Sequence, residues 1–344
     1  MARCLKVIEM GGYAAGYAGR LFVRDGADVV RVEPTVEKPS WASYEAMETY
    51  LHAGKRRVAR VSERVLADLI QAADVVVCEV DSAQQYDGFA SMCKGKRHVV
   101  ISPFGLTGPN QNWQATPSTL LAMGGYTQIM GDADKAPLTL PGHYLEFQSG
   151  TLAYGAVQVS VLEDRRDLID IGMFETLMSL SQFTTVRWHC AGQIRSRHGS
   201  DFWFVSPSEL FKCADGWVYI NIVPNFWDPF LALIELPELV IDERFQTNDG
   251  RMLYREALLS AIAGAFKLLT KAEIEQRAEQ CRVPLGVVRT LDDVLAEPHL
   301  LERGFWEEIT SSAGGKVQSP GLPYRTSDEP RAGWAVQAAE AVDV

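Results

Sequence analysis

An α/β fold built on a parallel sheet is predicted by three features of this 344-residue chain. Residues 5–33, LKVIEMGGYAAGYAGRLFVRDGADVVRVE, run from an apolar segment through a Gly/Ala-rich stretch to a second apolar segment. That order is strand, glycine turn, helix, strand, a unit that can carry a nucleotide-bearing molecule against a helix N-terminus. Short apolar runs at Val75–Cys78 and Val99–Ser102 then alternate with helical patterns, as in a sheet whose strands are joined by crossover helices. From about residue 200 the texture changes, and a smaller mixed α/β domain is expected to about residue 300.

Taken in order, Val7–Ile8 sit in the first strand, and Ala14–Arg24 form a helix in which Gly16 and Gly19 allow close approach to the sheet. Val29–Val32 form the second strand and Glu33-Pro34 end it. Residues 34–50 are polar and irregular, and ERVLADLIQA (63–72) has amphipathic helical spacing. PFGLTGPNQNW (103–113) is a Gly/Pro loop just beyond a strand, where open α/β sheets place ligands. Residues 146–163 make a long helix whose Ser149, Gly150, Ala153, Gly155 and Ala156 permit tight packing. Asp167–Asp170 lead into one helix from Met173 to Trp188. GQIRSRHGSDF (192–202) has the polarity of a linker, and FKCADGWVYINIV (211–223) is β-prone with a turn at Asp215-Gly216. Thr270 and Glu273 form a capping box for a helix reaching Cys281, and Thr290 caps another over Leu291–Leu295. Residues 305–323 return to strand and turn character, and 333–342 are a short helix candidate.

With 47% hydrophobic and 22% charged residues, the chain has material for a large core and for two domains. A net charge of -11 speaks against a nucleic-acid surface as the main function, although a local basic pocket stays open. The start, MARCLKVIEMGG, lacks a signal-peptide pattern, and no run of about eighteen apolar residues predicts a membrane span. Cys4, Cys78, Cys93, Cys190, Cys213 and Cys281 are scattered without a C-x-x-C pair. They read as free, buried thiols in a reducing compartment, the cytoplasm, and not as a metal site.

Seven segments in order resemble the family III CoA-transferases, the group that includes formyl-CoA transferase, carnitine CoA-transferase and α-methylacyl-CoA racemase. They are residues 5–34 ending GADVVRVEP, YLHAGKRRV (50–58), ADVVVCE (73–79), ISPFGLTGP (101–109), IDIGMFETL (169–177), DGWVYI (215–220) and 283–309. The fourth is similar to the family's G-F-G-x-x-G-P loop, and the fifth to its D-V-S-M-x-D/E-A segment. The resemblance implies a discontinuous Rossmann-like large domain (1–195, resuming at 301–344) that binds CoA, with a small domain at 200–300. It also implies an interlocked dimer, in which each chain threads a hole in the other.

The family's nucleophilic aspartate falls on Glu175. By resemblance, CoA moves from an acyl-CoA thioester to a free carboxylic acid through a glutamyl anhydride and a glutamyl-CoA thioester. A carboxylate is a weak nucleophile, so positioning and an oxyanion donor must lower the barrier. Asp170 is read as a cap of the helix from Met173. Tyr13 takes the place where some transferases carry a positioning Gln, and the amides of Gly105 and Gly108, beside Pro109, are candidate oxyanion donors and thioester contacts.

The CoA phosphates call for cations. Arg31 with Lys55, Arg56 and Arg57 forms one candidate set, and Lys96 with Arg97, beside Lys94, forms a second. No metal is expected. Aromatics abound between 183 and 230 (Phe183, Trp188, Phe202, Trp203, Phe204, Trp217, Trp227); many belong to the core, and any that line a cleft would favour a bulky or apolar acyl group over a small diacid. Two further readings stand beside a homodimeric transferase. One is a non-catalytic or heteromeric subunit. The other is a 2-methylacyl-CoA racemase, whose catalytic His position is occupied by Thr116, with His143 outside the motif and Glu146 kept at the start of the long helix.

Overall fold

The computed structural model describes residues 4–34, 45–59, 61–202, 204–324 and 334–341. Two compact units are formed, one from residues 1–127, 139–194 and 300–344 and the other from 128–138 and 195–299.

The larger unit is built on β1 (Lys6–Met10), β2 (Asp28–Val32), β3 (Arg56–Ala59), β4 (Val75–Glu79), β5 (Arg97–Ser102) and β6 (Leu168–Gly172). They lie in the order β3-β2-β1-β4-β5-β6, all parallel, which is the Rossmann order. The crossovers carry α1 (Tyr13–Arg24), α2 (Glu45–His52), α3 (Glu63–Ala72), α4 (Ala83–Asp87), α5 (Pro117–Met123) and α6 (Tyr144–Leu162). After β6 come α7 (Met173–Ser179) and α8 (Gln182–Ala191).

Strand residues alternate between two covered faces, as the two-residue period of a strand requires. Val7, Val75, Val77, Val99 and Ile101 pack on one side with Ala14, Ala18, Phe22, Ala153 and Val157 of α1 and α6. Ile8, Val30, Val58, Val76, Cys78 and Val100 fill smaller clusters on the other. The small-residue rule for α6 holds at Gly150, where a Cβ would stand 2.4 Å from the Ala14 carbonyl oxygen of α1.

The smaller unit has an antiparallel sheet of β7 (Ser208–Cys213), β8 (Gly216–Asn221) and β9 (Leu285–Val287). Cys213 pairs with Gly216 across a two-residue turn at Ala214-Asp215. Its core gathers Phe211, Val218, Ile220, Trp227, Phe230 and Phe266. Thr270 with Glu273 and Thr290 with Asp293 form reciprocal capping boxes. In the larger unit the chain adds β10 (Trp306–Thr310), β11 (Lys316–Pro320), β12 (Trp334–Ala335) and β13 (Glu340–Ala341), the last joining β3 at the sheet edge.

Four expectations are corrected. Residues 34–50 are not irregular throughout, since α2 begins at Glu45. The single helix over Met173–Trp188 is two, because Leu180 and Ser181 donate to carbonyls only three residues back, at Leu177 and Met178. There the hydroxyls of Ser179 and Ser181 also donate to the Thr176 and Met178 carbonyls, competing with the helix. The tail candidate at 333–342 makes β12 and β13 instead of a helix, because its short segments find strand partners in β10 and β3. Cys4 and Cys190 are exposed rather than buried, although all six thiols are free. Among the described residues no helix is long and apolar enough to cross a membrane.

Candidate active site

In a parallel sheet the loops after the strands gather at one edge, and here that edge carries the glycine turn, residues 79–82, the 103–109 loop and the start of α7 in turn. Gly11, at φ 113°, turns the chain from β1 into α1 against the end of β4, where a Cβ would meet the Glu79 carbonyl oxygen at 2.5 Å. The Glu79 side chain lies along Gly12 and accepts the Ala15 amide at 3.0 Å. The N-terminus of α1 is thus capped by the chain's own carboxylate and not left open to a phosphate, which corrects what the glycine turn alone predicts. Burial, aided by the nearby Glu146 charge, pushes the Glu79 carboxyl up to about 7 against the pull of the helix amides. Glu79 escapes the motif reading. Its signal is an acid ending an otherwise apolar strand, VVVCE.

Glu146 is buried at the start of α6, and its Oε1 pairs with His143 Nδ1 at 3.0 Å. The His143 ring lies edge-on to Tyr13 at 4.5 Å. Tyr13 therefore belongs to the α1–α6 corner above β1. Glu175 follows β6, three strand positions away and on the order of 14 Å at the usual spacing.

At the far end of the edge the 103–109 loop is fastened to β6. The Leu106 amide donates to both Asp170 oxygens, at 3.1 and 2.9 Å. Asp170 is thus a loop clamp, not a helix cap. The N-cap of α7 is Gly172, with no side-chain bond. Gly105, at φ 77°, is buried, and its N–H has no acceptor among the described residues. A buried amide without a protein acceptor is rare, and it leaves a donor for a bound group or water. Gly108 is exposed at φ 91° on the outer part of the loop.

Glu175 is the third residue of α7, exposed, and without a hydrogen bond or ion pair among the described residues. Its carboxylate folds back over Gly172, at the point where a Gly172 Cβ would also stand 3.2 Å from the Gly105 nitrogen. The sheet edge thus brings a carboxylate without a partner close to a backbone N–H without an acceptor, both among the described residues.

The basic residues divide sharply. Arg31 is buried, bonded to Glu9 at 2.7 Å and to the Gly11 carbonyl at 3.0 Å. Lys55, also buried, lies 2.5 Å from Glu9 and donates to the Gly16 carbonyl at 2.8 Å. Burial draws the Lys55 ammonium down to about 8, with Glu9 opposing the shift. Arg57 pairs with Glu33 and Glu48. Arg97 is bound to Ser160 at 3.0 Å, and Lys96 donates to the Gln71 and Ala73 carbonyls at the end of α3. A cation locked in this way reaches a phosphate only by giving up its partner. Arg56 alone of the first set is exposed with no ion-pair partner among the described residues. Arg97 opens β5 and Lys96 directly precedes it, at the strand end opposite the 103–109 loop.

Thr116 is the N-cap of α5 in a reciprocal box with Thr119, so its hydroxyl is committed to the helix. Of the aromatics, Trp227 is core, while Phe183, Trp188, Phe202, Phe204 and Trp217 are exposed. Trp203 lies outside the described residues. No group of three or more His, Cys, Asp or Glu that could hold a metal occurs among the described residues.

The Rossmann-ordered parallel sheet, with Glu175 and Gly105 at the edge where such sheets place ligands, defines a doubly wound α/β protein. The chain belongs to family III of the CoA-transferases, whose family model matches residues 4–337. It is 24% identical to succinyl-CoA–D-citramalate CoA-transferase of Chloroflexus aurantiacus, with 95% of this chain and 88% of that one covered. It is 25% identical to the BbsE subunit of succinyl-CoA:(R)-benzylsuccinate CoA-transferase of Thauera aromatica, over 93% and 86% of the two chains. The fold matches that of a CAIB/BAIF family protein from Brucella suis with a TM-score of 0.81, at 22% identity and 97% and 94% coverage. The chain is accordingly a CoA-transferase-type enzyme that takes coenzyme A as an acyl thioester.

Proposed function

We propose that Glu175 is the nucleophile that carries CoA from an acyl-CoA to a free carboxylic acid. The observation that supports it is the Glu175 carboxylate near the Gly105 amide, neither with a partner among the described residues. Glu175 attacks the thioester carbonyl, forms an acyl-glutamyl anhydride and expels CoA thiolate. The thiolate attacks the glutamyl carbonyl, giving a glutamyl-CoA thioester and releasing the donor acid. The acceptor carboxylate attacks that thioester to form a second anhydride and free the thiolate. Attack of the thiolate on the acceptor carbonyl yields the new acyl-CoA and restores Glu175. The Gly105 N–H stabilises the oxyanion at each addition, a contribution that reaches about 3 kcal/mol where a donor is well placed. A mass increase of CoA on Glu175, formed from acyl-CoA without acceptor and lost in Glu175→Gln, tests the mechanism. An adduct that persists in Glu175→Gln rejects it.

Arg56 is the cation of the first set turned toward solvent, and we assign a CoA phosphate to it. For the donor we favour a dicarboxylic acyl-CoA, since both relatives above are named for succinyl-CoA. A donor panel including succinyl-CoA and a bulky monocarboxylic acyl-CoA, read by CoA release to glutarate or malate, decides this.

We propose an interlocked dimer of this chain, in which the large domain at 1–195 and 301–344 binds CoA and the small domain spans 200–300. The outer faces of α6 and α8 support such a partner, with Leu152, Leu162, Phe183, Val186 and Trp188 exposed at 47, 86, 49, 55 and 54%. Sedimentation gives the mass. A heteromeric arrangement is the second reading, because BbsE is named as a subunit. It predicts an inactive chain alone and recovery with a related chain.

A further inference from the structure

With Glu175 taken as the nucleophile, we propose that Gly172 is its positioning residue, and that the missing side chain at 172 makes the room which the longer acid at 175 needs. Gly172 is the N-cap of α7 and Glu175 its third residue. The backbone at Gly172, φ -80° and ψ 126°, suits any residue, so conformation does not call for glycine. Capping does not call for it either, because serine ranks above glycine at an N-cap. Space does. A Cβ on Gly172 would fall on a Glu175 carboxylate oxygen while standing 3.2 Å from the Gly105 nitrogen.

The chain holds its own control. Thr270 and Glu273 have the same spacing from N-cap to third residue, and there the N-cap carries a hydroxyl. Thr270 Oγ1 donates to Glu273 Oε2 at 2.7 Å, and the Thr270 amide donates to the same oxygen at 2.8 Å. That carboxylate is tied down, and those bonds lower its proton affinity. Glu175 has no such bond among the described residues. A methyl at 172 would expel the carboxylate from its place, and a hydroxyl would also capture it.

A double-mutant cycle on the full chain tests this, reading the single-turnover rate of the CoA adduct from acyl-CoA without acceptor, together with KM for acyl-CoA. Gly172→Ser and Glu175→Asp are each expected to slow the adduct about 100-fold, the scale of a 1 Å misplacement, with KM little changed. Gly172→Ala adds volume without a hydroxyl and is expected to slow the adduct about tenfold. The double variant Gly172→Ala with Glu175→Asp is expected to be at least about tenfold faster than the product of its single losses predicts, and serine is kept out of this cycle because an N-cap hydroxyl holds an aspartate too, as Thr290 holds Asp293. Losses that simply multiply, or a Gly172→Ala variant with the original rate, overturn the proposal. An adduct surviving in Glu175→Gln is a separate failure, that of the nucleophile assignment itself.

Discussion

Lys55 Nζ stands 2.5 Å from Glu9 Oε2, and neither side chain is reached by solvent. The pair ends a row of charges laid across three strands, since Glu9 is in register with Arg31, and Arg31 with Arg57. Helix α1 is shaped around it. Gly16 lends its carbonyl to Lys55, and a Cβ at Gly19 would overlap the Glu9 carboxylate. The close approach that Gly19 permits is made to this ion pair, whereas a Cβ at Gly16 would meet the Leu51 side chain at 3.3 Å.

Removing one member of this group leaves a buried charge short of compensation, at a cost of about 3 kcal/mol. Lys55→Met is therefore expected to lower unfolding stability in urea by about that amount. The double variant Lys55→Met with Glu9→Gln is expected to regain part of the loss. A Lys55→Met chain as stable as the original would show that Arg31 alone compensates Glu9.

Arg56 lies one residue from Lys55 yet points outward. Arg56→Gln is expected to weaken CoA binding about tenfold by calorimetry, the effect of a lost phosphate contact worth about 1.4 kcal/mol, with no change in melting temperature. Equal affinity removes Arg56 from the CoA site.

Asp170 fastens the 103–109 loop through the Leu106 amide. Asp170→Ala forfeits charge-assisted hydrogen bonding and is expected to cost about 1–2 kcal/mol in thermal or urea unfolding. Because Gly105 precedes Leu106, the single-turnover rate is expected to fall about tenfold as well. Asp170→Asn keeps one acceptor oxygen and is expected to lie between the two. A normal rate in Asp170→Ala would uncouple the loop from the chemistry.

Glu79 sets a pH dependence. Its folded carboxyl titrates at about 7, above the ordinary value of 4.5, because burial disfavours the anion. Between those values the folded chain holds more protons than the unfolded one, so this group's contribution to stability is present below about 4.5 and is lost as pH rises through 7. Glu79→Gln is expected to remove that slope, stabilising the chain at pH 8 relative to the parent and much less at pH 5. Parallel urea titrations at the two pH values check it, and an unchanged slope would assign the titration to another group.

Local chemistry settles much of this molecule. The apolar runs at 7–8, 75–78 and 99–102 become adjacent parallel strands, Thr270 and Thr290 cap the helices that their sequences announce, and Glu175 opens a helix just after a strand. Such signals are legible because each depends on residues within a turn or two of one another. The partners of the charged residues are not. Arg31 and Lys55 read as a phosphate cluster until strand register brings both to Glu9, and Asp170 reads as a helix cap until Leu106, 64 positions away in sequence, claims it. Glu79 became the cap of α1 only because β4 lies beside β1 in the sheet. Burial decides these cases: a charge taken out of water accepts whichever opposite group the topology delivers, and pairing between distant segments leaves no trace in the local pattern.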